Sequence, residues 1–211
     1  MTAVDGFFDF FDVNLLKAVL RMATPLVFAA MGGLLSERSG IMNIALEGLM
    51  LSGAFAAVVG TYYLGSAWWG LIVALVVGGL TALVHAFWSI GLRSDQIVTG
   101  TAINLLAAGV TVFLIQRIWD QSGRTPSVEK LPNITSQVSI LVPVAFISVP
   151  VVYLFLRVTK QGLRVMACGE HPEAAQSVGI NVSALRYGMV MMSGVFAAAG
   201  GSVLTLSLIH I

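Results

Sequence analysis

Apolar residues in this chain form long blocks that are separated by short polar stretches. Windows of mostly apolar residues lie at 14–35, 43–64, 67–91, 97–119, 139–156 and from 187 to near the end. A helix of about 20 such residues crosses the hydrocarbon of a bilayer with its backbone groups hydrogen-bonded inside the segment. The pattern predicts an all-α, polytopic membrane helix bundle with about six spans, forming a single transmembrane domain over 1–211.

Composition supports this prediction and excludes several classes of protein. The chain is 57% hydrophobic and only 10% charged, its mean hydropathy is +0.92, and soluble domains carry about 25% charged residues. Its net charge of +1 is carried by scattered basic residues, so nucleic acid is not an expected partner. Cys168 is the only cysteine, which excludes an internal disulfide and a multi-cysteine metal site. We expect no bound cofactor or metal.

Two longer connectors, at 120–137 and 157–186, set the expected orientation. The second holds the densest basic cluster of the chain: Arg157, Lys160, Arg164 and Arg186. Lys and Arg are retained on the cytoplasmic side, so we expect this loop inside the cell and, five crossings earlier, the N-terminus outside. The outer boundaries would then hold indole rings, which prefer the membrane interface: Trp68, Trp69 and Trp119. The predicted location is the plasma membrane, as a multi-pass protein.

Polar residues interrupt the second window. A polar turn at 36–40 is followed by Asn43 and Glu47, which are four residues apart and are expected to share one helix face. A carboxylate inside a span suggests a functional site, although Glu47 could equally be structural and accept hydrogen bonds from a neighbouring helix. Gly40 beside the polar turn would suit a discontinuous helix, which transporters use to bring backbone dipoles to a translocation path.

Other polar side chains lie in the third and fourth windows. His85 is more simply read as a neutral, hydrogen-bonded packing residue than as a proton carrier. Thr99, Thr101 and Asn104 carry uncharged hydrogen-bonding groups, which suit an uncharged polar solute but equally suit contacts between helices.

The charged stretch at 162–180, GLRVMACGEHPEAAQSVGI, predicts a short surface helix between two spans. Proline is tolerated in the first helical turn, so Pro172 can begin the helix, and Glu173 would complement its positive end. Ala174 and Ala175 favour continuation, and Gly179 is a natural stop.

This stretch resembles the coupling segment of permease subunits from ATP-binding-cassette importers, in the branch that carries sugars, nucleosides and branched-chain amino acids. The matching positions are Gly169, Pro172, Ala174, Ala175, Gly179 and Ile180. His171 stands where the family usually has Asn, which leaves its individual role open. The segment SERSGIMNIALEGLMLSGAF at 36–55 is similar to the start of the family's second helix, most of all in the sub-branch associated with nucleosides and simple sugars.

The resemblance implies partners and residue roles. Two cytosolic ATPase subunits, a second permease subunit that is identical or different, and an extracytoplasmic substrate-binding lipoprotein would work with this chain to move a small polar solute. The loop at 157–186 would be the cytoplasmic coupling loop, and its ATPase-coupling residues would be Glu170, His171, Pro172, Glu173, Ala174, Ala175 and Gly179. Asn43, Glu47 and Asn104 are the candidates for the translocation path. The chain has no GxxxxGK[ST] phosphate loop, so the partner would hydrolyse the ATP.

The resemblance also bears on the two ends of the chain. Family permeases have about two further spans, so this bundle is expected to be truncated at its C-terminus. The tail at 207–211, SLIHI, resembles a translated sequencing-adaptor remnant, and His210 is given no role. Asp5, Asp9 and Asp12 differ from the basic start of a secretory signal, so we expect no cleaved presequence.

Other functions compete with this interpretation. A proton-coupled secondary transporter could use Glu47 and His85, and a permease for branched-chain amino acids belongs to the same branch. An enzyme is disfavoured because the sequence contains neither HExxH nor GxSxG.

Overall fold

The computed structural model describes residues 13–121, 124–135 and 138–207. The expectations for Asp5, Asp9, Asp12 and His210 lie outside these ranges. The helices are α1 (Val13–Arg38), α2 (Leu46–Leu64), α3 (Ala67–Ala86), α4 (Gln96–Trp119), α5 (Leu141–Val158), α6 (Lys160–Glu170), α7 (Pro172–Ser177) and α8 (Val182–Leu206). A π-helical turn, Phe87–Gly91, extends α3, and β1 (Asn133–Thr135) pairs antiparallel with β2 (Val138–Ser139).

The predicted all-α membrane bundle is confirmed. Within the described ranges, five helical segments are long and apolar enough to cross a membrane: Leu15–Arg38, Ala67–Gly91, Gln96–Trp119, Leu141–Val158 and Val182–Leu206. The second expected window, 43–64, also folds as a helix, α2, but its length and composition do not by themselves mark it as a span. Its 19 residues include a glutamate, three glycines and two tyrosines, which dilute its apolar character.

Helix α8 forms the centre of the bundle and packs on α1, α2 and α3. In its most apolar stretch 61% of the residues are buried, compared with 28% in α4. Close backbone contact makes this possible. A Cβ at Gly194 would lie 2.5 Å from the Gly78 carbonyl oxygen of α3, and one at Gly201 would overlap the Met50 carbonyl of α2. Small residues at these contacts therefore allow the helix backbones to approach each other closely.

The outer helices expose large apolar side chains. Helix α5 packs on α1, and α4 packs mainly on α2, so each has a wide face without protein neighbours in the described part of the chain. Leu105 on α4 is 76% exposed, and Val158 at the end of α5 is 70% exposed. Such faces match the hydrocarbon of a bilayer, where apolar side chains need no protein cover.

The two long connectors lie at opposite ends of α8. The backbone N–H of Leu131, in the first connector, donates to the Leu206 carbonyl at the C-terminal end of α8 (3.2 Å). The second connector leads directly into the N-terminal end of the same helix, which begins at Val182. The end marked by Leu131 also carries aromatic contacts, and the ring centroids of Tyr62 and Trp119 are 5.6 Å apart.

Candidate functional site: a broken helix beside the coupling loop

The polar turn after α1 breaks the helix and begins a short irregular segment, residues 39–45, which we call the broken segment. The N–H groups of Ser39 and Gly40 donate to the carbonyls of Ser36 and Glu37, closing a tight turn. Gly40 has φ 88°, a left-handed conformation that glycine adopts without steric cost. Helix resumes only at Leu46. Helical structure therefore stops at the polar turn and the broken segment joins α1 to α2, while the discontinuous transmembrane helix stays a prediction.

Side chains from α1 and α4 hold the broken segment in place. Gln96 Oε1 accepts from the Met42 backbone N–H (2.8 Å), and Ser36 Oγ donates to the Ile41 carbonyl (2.7 Å). Asn104 uses both ends of its amide: Nδ2 donates to the Ile44 carbonyl (2.9 Å) and Oδ1 accepts from the Gly48 N–H (2.7 Å). Backbone that has left the helix ladder must find such partners when water is excluded.

Asn43 and Glu47 do not share a helix face, because α2 begins after Asn43. The Asn43 side chain is buried and donates from Nδ2 to Ser193 Oγ on α8 (2.8 Å), while its Oδ1 accepts from the Ala45 N–H. The Glu47 side chain is exposed and has no hydrogen-bond or ion-pair partner among the described residues. It lies in the first turn of α2, where a negative charge complements the helix dipole.

A second polar cluster lies where α3 passes into its π-helical turn. His85 is fully buried, its Nδ1 lies 3.5 Å from Ser89 Oγ, and Ser89 Oγ lies 3.2 Å from Thr99 Oγ1. Within the described ranges, His85 Nε2 has no hydrogen-bond partner. Thr101 points away from this cluster and donates to the Ile97 carbonyl of its own helix. Thr99 and Thr101 therefore do not form one polar surface with Asn104.

The short helix predicted in the coupling loop is present as α7, which we call the coupling helix. It begins with Pro172 in its first turn and stops before Gly179, which has φ 84°. One side of this helix is exposed and the other is buried: Ala174 is exposed, whereas Ala175 is buried with 4% exposure. The His171 side chain is exposed and makes no capping hydrogen bond.

An additional helix, α6, precedes the coupling helix and was not predicted. Thr159 caps it by accepting from the Gly162 N–H (3.0 Å), and the buried positions Gly162, Val165 and Cys168 recur every three residues along one side. That spacing was the available signal, although a glycine and a cysteine make it weak. The His171 N–H donates to the Ala167 carbonyl, so the coupling helix follows α6 with only His171 between them.

The coupling loop contacts the turn that precedes the broken segment. A Cβ at Gly169 would overlap the Arg38 carbonyl oxygen, so the end of α6 meets the end of α1 backbone to backbone. Arg186 of α8 donates from Nε to the Ser39 carbonyl (3.1 Å) and from Nη2 to the Cys168 carbonyl (3.3 Å). Arg186, Gln96 and Ser193 were not among the predicted site residues, because their partners are distant in sequence.

A polar cavity of about 590 Å³ lies between the coupling helix and the start of α4. Its lining includes Arg93, Gln96, Glu173, Gln176, Ser183 and Arg186. The coupling helix itself packs on α6 and α8.

Comparison with known proteins identifies the family. Residues 15–211 match the family described as the permease component of branched-chain amino acid transport systems. The chain belongs to this permease family. Its members are transport proteins and not a class of enzyme, and the apolar helices agree with a multi-pass membrane protein. The family resemblance drawn from the two sequence motifs is thus confirmed.

Several curated permeases are similar over most of the chain. A guanosine ABC transporter permease protein of Bacillus subtilis is 39% identical over 90% of this chain and 66% of its own length. A putative glucose ABC transporter permease protein of Haloferax volcanii is 36% identical, over 93% and 64%. A nucleoside ABC transporter permease protein of Lactococcus lactis is 34% identical, over 90% and 68%. This permease chain therefore spans about two thirds of the length of these relatives. No solved structure gives a significant match.

Proposed function

We propose that this permease chain forms part of the membrane pathway of an ATP-driven importer for nucleosides or simple sugars. The observation that carries the proposal is the coupling helix: a six-residue helix with an exposed outer side, displayed on a loop at one end of a bundle of apolar helices. Family membership supports the class of protein. The relatives support the solute class, because the names of two of them mention guanosine or a nucleoside and the name of the third mentions glucose.

In the proposed assembly, the coupling loop faces the cytoplasm and the N-terminus lies outside. The basic cluster of the loop supports this orientation through the retention of Lys and Arg inside the cell. Two cytosolic ATPase subunits, a second permease subunit and a binding lipoprotein on the outer side complete the importer. The residues proposed to contact the ATPase are Glu170, His171, Pro172, Glu173, Ala174 and Gly179, with Ala175 holding the coupling helix from its buried side.

Around the translocation path we propose two different roles. The free, exposed carboxylate of Glu47 is available to accept hydrogen bonds from hydroxyl groups of the solute. The amides of Asn43 and Asn104 are occupied by Ser193 and by backbone of the broken segment, so their role is to shape the path. A sugar or nucleoside is a reasonable cargo for such a path, because it is rich in hydroxyl groups and uncharged.

Uptake of a radiolabelled nucleoside tests the proposal. The complete permease is assembled in proteoliposomes with its binding protein and ATPase, and unlabelled nucleosides, sugars and amino acids compete with the label. We expect competition by nucleosides or simple sugars, uptake that stops when the phosphate-loop lysine of the ATPase is replaced, and no effect of a protonophore. Uptake that survives the inactive ATPase and is abolished by the protonophore would instead identify a proton-coupled transporter.

A further inference from the structure

Arg186 joins two segments that are far apart in the sequence. Its guanidinium donates to the Ser39 carbonyl at the start of the broken segment and to the Cys168 carbonyl near the end of α6. A guanidinium is planar and carries several N–H donors in a fixed arrangement, so one side chain can hold two backbone groups at once. Lysine has a single rotating ammonium group and does not reproduce this geometry.

The two segments also touch directly through backbone atoms. The Cα atom of Gly169 lies 3.3 Å from the Cβ position of Gly40, and the Gly169 Cβ position is occupied by the Arg38 carbonyl. Contact between backbone atoms cannot be absorbed by a change of rotamer, so one segment pressed against the other displaces it. Movement of the two segments apart is opposed by the Arg186 hydrogen bonds.

We propose that Arg186 is the positioning residue that transmits movement of the coupling helix to the broken segment. The inference rests on the proposed function, in which the ATPase moves the coupling helix. The coupling helix continues from α6, and the cavity of about 590 Å³ separates it from the start of α4. The coupling helix contacts α6 and α8, and the hydrogen bonds of Arg186 on α8 join the end of α6 to the broken segment. Rigid displacement of small elements is a known form of conformational switching.

The first test separates ATP hydrolysis from transport. In the reconstituted complete importer, Arg186→Gln should lower the amount of solute moved per ATP hydrolysed by at least about tenfold, because two charge-assisted hydrogen bonds are lost. The rate of ATP hydrolysis should stay within about twofold of the unsubstituted importer, since the substitution leaves unchanged the exposed residues of the coupling helix that would contact the ATPase. Arg186→Lys should recover part of the ratio. The matched control is Arg164→Gln on α6, an exposed arginine with no partner in the described ranges, and it should change neither quantity.

The second test uses the Cys168 thiol as a reporter of the contact. The thiol is fully buried. Burial raises its pKa, and the nearby positive charge of Arg186 partly opposes that rise. If Arg186 were replaced and the structure did not change, the loss of its positive charge would raise the pKa of Cys168 further. The thiol would then react more slowly with maleimide, because the thiolate is the reactive form. Faster labelling of Cys168 in Arg186→Gln, measured by mass spectrometry of its peptide, therefore means that α6 has separated from the turn.

Different results would overturn this inference or the proposed function. An unchanged ratio of solute to ATP in Arg186→Gln overturns the positioning role, and so does a parallel loss of transport and hydrolysis. If Arg186→Gln does not assemble, Arg186→Lys decides, since a normal ratio in that variant also overturns the role. Uptake that needs no ATPase overturns the proposed function itself, whatever Arg186 does.

Discussion

The broken segment and the coupling helix differ in where their polar groups find partners. In the broken segment, Gln96 and Asn104 from α4 and Ser193 from α8 bind backbone or side-chain groups inside the bundle. Most side chains of the coupling helix are exposed, and the side chain of its N-cap residue, His171, makes no capping hydrogen bond. The polar groups of the broken segment are bound by residues of the same chain, whereas the coupling helix exposes its side chains to a proposed partner. Mutations in the first should affect folding, and mutations in the second should affect function.

The largest effect is expected for Asn104→Leu, which tests whether the broken segment is held internally. The change leaves the Ile44 carbonyl and the Gly48 N–H without their partner. We expect a loss of about 1–3 kcal/mol in the free energy of unfolding, since membrane hydrogen bonds contribute less than those in water-soluble cores. Thermal unfolding in detergent measures it. Thr101→Val on the exposed side of the same helix is the control and should stay within about 0.5 kcal/mol.

The next largest effect is expected for Ala174→Arg, which tests the exposed side of the coupling helix. A large charged side chain on the exposed side of the coupling helix should prevent docking and lower transport by about tenfold or more, equivalent to about 1.4 kcal/mol, with normal membrane abundance. Ala175→Arg places the same group on the buried side and should instead reduce the amount of folded protein. Uptake assays and quantitative blots separate the two. Normal uptake by Ala174→Arg would argue against docking at this helix.

The smallest effect is expected for Glu47→Gln, which tests whether an exposed residue of α2 affects transport and not folding. The amide keeps the size but loses the charge, so hydrogen bonds from solute hydroxyls should weaken and KM should rise by about threefold to tenfold. Abundance should change little, because Glu47 has no hydrogen-bond or ion-pair partner in the described structure and a charge at an exposed helix end contributes only about 0.3–1 kcal/mol. The exposed Glu37, in the turn near the coupling loop, provides the control as Glu37→Gln. Reduced abundance of Glu47→Gln alone would indicate a structural role.

The sequence predicted local features well and long-range contacts poorly. Pro172 and Gly179 define α7 through backbone constraints that belong to each residue alone, and Gly40 marks the break for the same reason. The hydrogen bond between Asn43 and Ser193 joins residues 150 positions apart, and no periodic pattern records such a pair. The expected shared face of Asn43 and Glu47 was wrong because the polar turn delays the start of α2 to Leu46.

The position of α8 has a consequence for communication across the membrane. Its 25 residues extend about 37 Å at about 1.5 Å each. Near one end Arg186 donates to the Ser39 carbonyl, and at the other end the Leu206 carbonyl accepts from the Leu131 N–H in the opposite connector. A tilt of α8 at its Arg186 end would therefore displace the connector at the opposite end of the bundle.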